Sequence, residues 1–320
     1  METKRVLVTG ASGFIGKPLV GALLRTGYAV RVATRRSVSF PNSVDEVIIP
    51  DLVNPVEWKP ILRGVDIVVH LAGLAHTDEG NLPFDEFDRV NWIATLQLAN
   101  AAKKARVKHF VYISSVRAQV DAFAAQIVRE HDWPQPTDQY GSSKLAAEMA
   151  IKSAHLPFTI LRPVVVYGPH PKGNFRTLVR LASLPLPLPV KGLTARRSLL
   201  GIDNLISAIA FVLNNQRAFG QTLLVADPTP LTLPEIITML RKAQGRLPWL
   251  VYVPTFLIRR AVILLGYPHF WERIANNLVV DTNNLESLGW RAPLDTYEGF
   301  VAMMRAEDGK AGENNWPHSY

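Results

Sequence analysis

Tyr140-Gly141-Ser142-Ser143-Lys144 puts a phenol and an ammonium four positions apart. On a helix such a pair shares one face. A free phenol titrates near pH 10, and a cation held against it favours the phenolate. The pair therefore reads as a group that gives or takes a proton near neutrality. The same spacing also arises on a plain exposed helix start, so the segments that would position it carry the weight.

Those segments alternate. Arg5 to Thr9 reads as a buried strand, followed at once by Gly10-Ala11-Ser12-Gly13-Phe14-Ile15-Gly16. Ile15, Leu19, Leu23 and Leu24 then fall at helical spacing, Pro18 lies in the first turn, and Gly27 can end the helix. Ala29 to Thr34 is the next strand. A strand, glycine loop, helix and strand in about thirty residues is the setting of a dinucleotide fingerprint, here G-x-x-G-x-x-G rather than G-x-G-x-x-G. Its glycines let backbone approach a pyrophosphate, and a helix N-terminus favours the charge. At the end of the second strand stand Thr34-Arg35-Arg36, and the first acid after them is Asp45. An acid there suits the ribose hydroxyl of NAD, an arginine the 2′-phosphate of NADP. NADP(H) is therefore preferred, with NAD(H) as the alternative.

Further strands are expected at Glu46 to Pro50, Asp66 to His70, His109 to Ile113 and Phe158 to Leu161. They end at Asp51-Leu52, Leu71-Ala72-Gly73, Ser114-Ser115 and Arg162-Pro163. Between them a helix over Phe84 to Arg106 buries Phe87, Val90, Ile93, Ala94 and Leu98. Another over Tyr140 to Ala154 turns Leu145, Met149 and Ala146 inward. Alternation of this kind gives an α/β, doubly wound parallel sheet, with ligands outside the strand C-terminal ends. Val164 to Gly173 reads as a turn-rich loop and Asn174 to Leu184 as a helix. Pro185, Pro187 and Pro189 mark an extended stretch. Ile202-Asp203-Asn204 opens a helix to Asn214; Leu223 to Ala226 is a strand, Leu233 to Ala243 a helix, and Leu285 to Pro293 closes a short one. Val251 to Gly266 reads as a core or lid helix in preference to one lying on a surface, and the polar tail from Glu307 as disordered.

The 320 residues are 48% hydrophobic and 19% charged, a globular balance. The chain has no cysteine, which excludes disulfides, thiolate metal sites and a cysteine nucleophile. Its eight histidines are scattered, so no metal site is expected. The net charge of +8 suits an anionic partner, and without a dense basic run that partner is a phosphorylated small molecule rather than nucleic acid. Lys4-Arg5 precede too short an apolar run for a signal peptide, and no stretch has the length of a membrane span. A cytoplasmic location is expected.

Together these residues resemble the extended short-chain dehydrogenase/reductases of the NAD-dependent epimerase/dehydratase family. The marks are Thr9 to Gly16, Asp51-Leu52, His70 to Gly73, Ser114-Ser115, Tyr140 to Lys144, Arg162-Pro163 with Val166-Tyr167-Gly168-Pro169, Arg197 with Ile202 to Leu205, and Leu288-Gly289-Trp290. The resemblance implies a Rossmann-type cofactor domain over 1–170, rejoined by about 198–226. A smaller α/β substrate-binding region over 171–306 and a tail over 307–320 follow. It implies Tyr140 as acid/base, Lys144 on the nicotinamide ribose lowering the Tyr140 pKa, and Ser115 on the reacting sugar oxygen. Gly10, Ser12, Gly13, Phe14, Ile15, Arg35, Arg36, Asp51, Leu52, Leu71, Ala72, Gly73 and Pro163 would line the cofactor. Asn174 and Arg197 would meet the diphosphate of a UDP-sugar. It further implies a homodimer through the helices carrying residues 84–106 and 140–154. Arg35-Arg36 departs from the acid of NAD-retaining 4-epimerases. Arg162 to Phe175 and Arg196 to Leu199 look closer to bacterial UDP-4-keto-6-deoxy-N-acetylhexosamine 4-reductases of surface-polysaccharide (O-antigen) synthesis. A 4-keto reductase is thus the first expectation, a UDP-hexose 4-epimerase the second, and a non-catalytic NADP-sensing protein the third.

Overall fold

The structure is a computed structural model and describes residues 3–74, 85–171, 173–264, 266 and 268–307. The chain opens with β1 (Arg5–Thr9), α1 (Gly16–Arg25), β2 (Ala29–Thr34), β3 (Asp45–Ile48), α2 (Trp58–Ile61) and β4 (Ile67–His70). A π-helical turn over Asp88–Ile93 leads into α3 (Ala94–Lys104), then β5 (His109–Ile113), α4 (Gln139–Ser153) and β6 (Phe158–Pro163). Next come β7 (Val165–Tyr167), α5 (Gly173–Ser183), β8 (Arg196–Arg197), β9 (Leu199–Gly201), α6 (Ile202–Asn214) and β10 (Gln221–Val225). The chain closes with β11 (Leu231–Thr232), α7 (Leu233–Ala243), α8 (Thr255–Leu264), α9 (Pro268–Ala275), α10 (Asn283–Ser287) and α11 (Thr296–Glu307).

Seven strands form one sheet in the order β10-β6-β5-β4-β1-β2-β3, every pair parallel. The order reverses between β1 and β4, which opens a crevice at their C-terminal ends. Central strands buried on both faces need continuous apolar runs, and Val6, Leu7, Val8 and Val68, Val69 supply them. One apolar layer packs α1 and α6 on one face of the sheet, and a second packs α3 and α4 on the other. A third core lies beyond the sheet, where α5, α7 and α11 meet around Phe175, Ile237 and Phe300.

The departures from sequence expectation have local causes. Val164 to Gly173 is not all turn: β7 pairs with β9 in parallel. Three residues carry too little periodicity to announce a strand. Ile93 is exposed rather than inward, because the π-turn adds a residue per turn and shifts the inward face. On α4 the inward residues are Ser143, Lys144, Ala147, Glu148 and Ile151, while Met149 is exposed and Leu145 and Ala146 are half-buried. Polar groups occupy the inner face, so the apolar pattern misplaces it. Over Val251 to Gly266 only Thr255–Leu264 is helical, and α8 has no buried residue, so it is not a core helix. Phe84 and 308–320 of the expected tail lie outside the described residues; Glu307 is still in α11.

Candidate active site

The cofactor side is built at the sheet's switch point. Gly10 ends β1 at φ +69°, and a Cβ on it would stand 2.8 Å from the Ala72 nitrogen beyond β4. A Cβ on Gly16 would stand 2.2 Å from the Gly10 carbonyl oxygen. Only glycine allows either approach. The Gly13 amide donates to the Gly10 carbonyl at 3.0 Å and tightens the loop through Ser12, Phe14 and Ile15. α1 has no side-chain cap; Lys17 and Leu19 donate their amides to the Gly13 and Ile15 carbonyls at 3.2 Å and Pro18 has none to give, so the Gly16 amide and the positive end of the helix dipole are what the first turn offers an anion. Thr9 Oγ1 accepts from the Ala72 amide at 3.3 Å and meets His70 Nδ1 at 2.6 Å. His70 is completed by Thr95 at 2.9 Å; burial first, then Lys144, lowers its pKa to about 3, so it stays neutral.

The far end of this groove is charged. Arg35 donates to Asp51 Oδ2 at 2.5 Å, and that bond holds the Asp51 pKa below the usual carboxylate range. Arg36 is exposed next to it, and Leu52 is buried below Asp51. The other two carboxylates nearby are engaged. Asp45 pairs with Arg31 at 2.7 Å near the opposite end of β2, and Glu46 accepts from Thr34, Ser37 and the Val38 amide.

Ser115, Tyr140 and Lys144, the candidate reacting groups, sit where β5 and α4 meet. Asp138 caps α4, accepting from the Gly141 amide at 2.6 Å, and Arg117 bridges Asp138 and Asp121. A Cβ on Gly141 would stand 2.3 Å from the Arg117 carbonyl oxygen, so the start of α4 lies hard against the turn after Ser115. Tyr140 is thereby placed beside Ser115. Phe87 meets the Tyr140 ring edge-on at 6.3 Å. Burial raises the Tyr140 pKa more than the Ser115 hydroxyl lowers it. The sequence expectation that Lys144 sets a depressed Tyr140 pKa is not met here. Lys144 instead donates to the Ile113 carbonyl at 3.0 Å and lies 4.7 Å over the Tyr112 ring. Burial lowers the Lys144 pKa to about 8, against an opposing pull from Glu148. A Cβ on Gly73 would come within 3.3 Å of Lys144 Nζ, so the β4 loop and the lysine share one space.

The structure thus gathers the glycine loop, Leu71 to Gly73, Ser115, Tyr140 and Lys144, with buried Pro163 ending the neighbouring strand. Arg197 is engaged elsewhere: it donates to the carbonyls of Ala122 at 2.9 Å and Asn276 at 3.3 Å. Asn174 lies in the first turn of α5, and its side chain is outside the described residues. A cleft of about 250 Å³ opens past Arg197, lined by Leu193, Thr194, Thr255 and Trp271.

Sequence reasoning missed three positioning residues. Asn91, buried in the π-turn, exchanges hydrogen bonds with the Leu74 backbone at 2.8 and 3.0 Å and donates to Ser143 Oγ at 3.0 Å. It ties the loop after β4 to α4. Glu148 receives Ser114 Oγ at 2.5 Å and both arms of Arg162 at 2.9 and 2.6 Å. Gln119 takes the remaining Arg162 arm at 2.7 Å. Glu148 stands one turn after Lys144, a spacing that would have marked it.

A glycine cradle at the switch point of a doubly wound sheet, beside a Ser-Tyr-Lys set, defines an NAD(P)-dependent enzyme of the extended short-chain dehydrogenase/reductase type. The chain belongs to the NAD dependent epimerase/dehydratase family, whose profile matches residues 6–226. It is 32% identical over 315 residues to the UDP-glucose 4-epimerase of Vibrio cholerae, covering 95% of both chains. It is 25% identical over 346 residues to a 4-hydroxy-2-methyl-3-oxo-4-farnesyl-3,4-dihydroquinoline-1-oxide ketoreductase of Stigmatella aurantiaca, covering 98% of this chain and 99% of that one. The solved structure of MoeE5 in complex with UDP-glucuronic acid and NAD matches with a TM-score of 0.73 at 26% identity, over 94% of this chain and 98% of that one.

Proposed function

We propose that the chain is an NADPH-dependent reductase acting at C4 of a UDP-linked 4-keto-6-deoxy-N-acetylhexosamine, in the cytoplasm, in surface-polysaccharide synthesis. The observation that carries the cofactor choice is Arg35 at the end of β2. The carboxylates near it are already bonded to Arg31, Arg35 and the turn after Thr34. Arg35 is itself bonded to Asp51, but its side chain is 68% exposed and its fork matches a phosphate, whereas Asp45 and Glu46 are held by bonds of their own. The UDP-sugar in MoeE5 supports the substrate class. Trp92, Ile93 and Met149, exposed on the helical segments expected to pair, support a homodimer.

When bound, the nicotinamide supplies a hydride to the carbonyl carbon. The protein's part is the proton and the charge. Tyr140 gives its phenolic proton to the carbonyl oxygen, and burial keeps that phenol protonated at neutral pH. Ser115 donates to the same oxygen as charge develops there. Lys144, cationic below about pH 8, would hold the nicotinamide ribose.

The test is to mix the enzyme with such a keto sugar and follow the near-ultraviolet absorbance of NADPH. Stoichiometric oxidation is expected. The likeness to the Vibrio cholerae enzyme favours a second reading, a UDP-hexose 4-epimerase with tightly held NAD. Interconversion of UDP-hexoses with no added cofactor and no NADPH oxidation would establish that reading instead. A non-catalytic NADP sensor has no use for the Ser115, Tyr140 and Lys144 set.

A further inference from the structure

We infer that the surface running from the end of α7 through α8 docks on an anionic lipid bilayer. From Ile236 to Trp271 the sequence carries Arg241, Lys242, Arg246, Arg259 and Arg260 and no aspartate or glutamate. From Arg246 to Leu264 several large side chains face outward. Leu247 is 84% exposed, Trp249 59%, Tyr252 69% and Leu264 86%. On α8, Phe256, Leu257, Arg260 and Leu264 share the outward face, while Ile258 packs on the third core.

This exposure is built. Arg241 is buried and donates to the carbonyls of Ala182, Leu184, Leu186 and Trp249 at 2.7 to 3.2 Å. The Leu188 amide donates to the Trp249 carbonyl at 3.1 Å, and the Val251 amide to the Leu188 carbonyl at 2.9 Å. The backbone that carries Trp249 is therefore clamped to the core, and its indole is held out in water. Clustered exposed apolar residues mark an interaction surface. Tryptophan and tyrosine suit the headgroup level of a bilayer, and unanswered arginines suit anionic lipid. A second copy on this face would set Arg259 and Arg260 against like charges, and the stretch from Ile236 to Trp271 carries no carboxylate to answer them, which opposes self-pairing. Among the described residues no helix is long and apolar enough to cross a membrane, so the face lies on the surface rather than spanning it. Thr255 belongs both to this face and to the cleft past Arg197, so docking holds that cleft beside the bilayer.

The experiment is sedimentation of the full chain with phosphatidylcholine vesicles, with and without phosphatidylglycerol. Anionic vesicles should carry the protein down at least about tenfold better, and added salt should release it. Arg259→Gln with Arg260→Gln should weaken partition by about tenfold and flatten the salt dependence. Trp249→Ser with Tyr252→Ser and Leu264→Ser, at exposed positions, should abolish partition while thermal unfolding stays unchanged. No sedimentation with anionic vesicles overturns the inference, as does equal partition of the variants. So does light scattering in which the triple variant halves the mass of the native protein, since a second copy then covers this face. No substrate enters these measurements, so they stand apart from the reductase assay.

Discussion

Tyr140 and Lys144 divide their work in a way the motif does not state. Burial keeps the phenol protonated, and burial loosens the proton of Lys144, whose pKa falls to about 8. As pH rises through about 8 the cation beside the site is lost, so turnover should fall above that pH; a rate profile from pH 6 to 10 checks it. Tyr140→Phe should lower turnover between about a hundredfold and ten-thousandfold. Cofactor binding, read by fluorescence quenching, should stay within a few-fold. Arg35→Ala should raise KM for NADPH by about tenfold and leave NADH unchanged, as steady-state kinetics would show; an equal change for both cofactors would remove the basis for NADP preference.

At the scale of elements, α4 is fixed at its start and along its middle. Asp138 and Arg117 hold its start, and Glu148 anchors its middle to β5 and β6 through Ser114 and Arg162. Both members of the Glu148–Arg162 pair are buried. Glu148→Ala strands the Arg162 charge, so urea unfolding should show a loss of about 3–5 kcal/mol. Glu148→Gln, which keeps hydrogen-bonding groups, should lose less. The cofactor loop was legible because glycines at fixed spacing after a short apolar strand have few other uses. The inward face of α4 was not. Its polar residues face the core because their partners come from segments 14 to 52 residues away in sequence, and periodicity within one helix carries no trace of those partners.

Across the whole molecule, two histidines are buried neutral between strands and helices. Burial first, then a nearby lysine, lowers His70 to about 3 and His109 to about 4, from an ordinary 6.5. The unfolded chain takes up these protons first, so stability is complete above about pH 6.5 and declines as pH falls toward the folded values. The thermal midpoint should therefore drop between pH 7 and 5. His109→Gln should show a shallower drop.

By itself the sequence determined the alternating parallel sheet, the glycine loop, and Tyr140 and Lys144 on one helix face; Ser115 joined them only through the family resemblance. The first three are written in local spacing, which a strand, a tight turn or a helix imposes directly. Only the tertiary structure decided that Asp51 answers Arg35, that Arg197 is bonded to backbone carbonyls, that Asn91 joins the cofactor loop to α4, and that α8 faces water. These depend on which distant segments the sheet order brings together. Burial in that arrangement is the largest influence on the Tyr140 pKa and raises it.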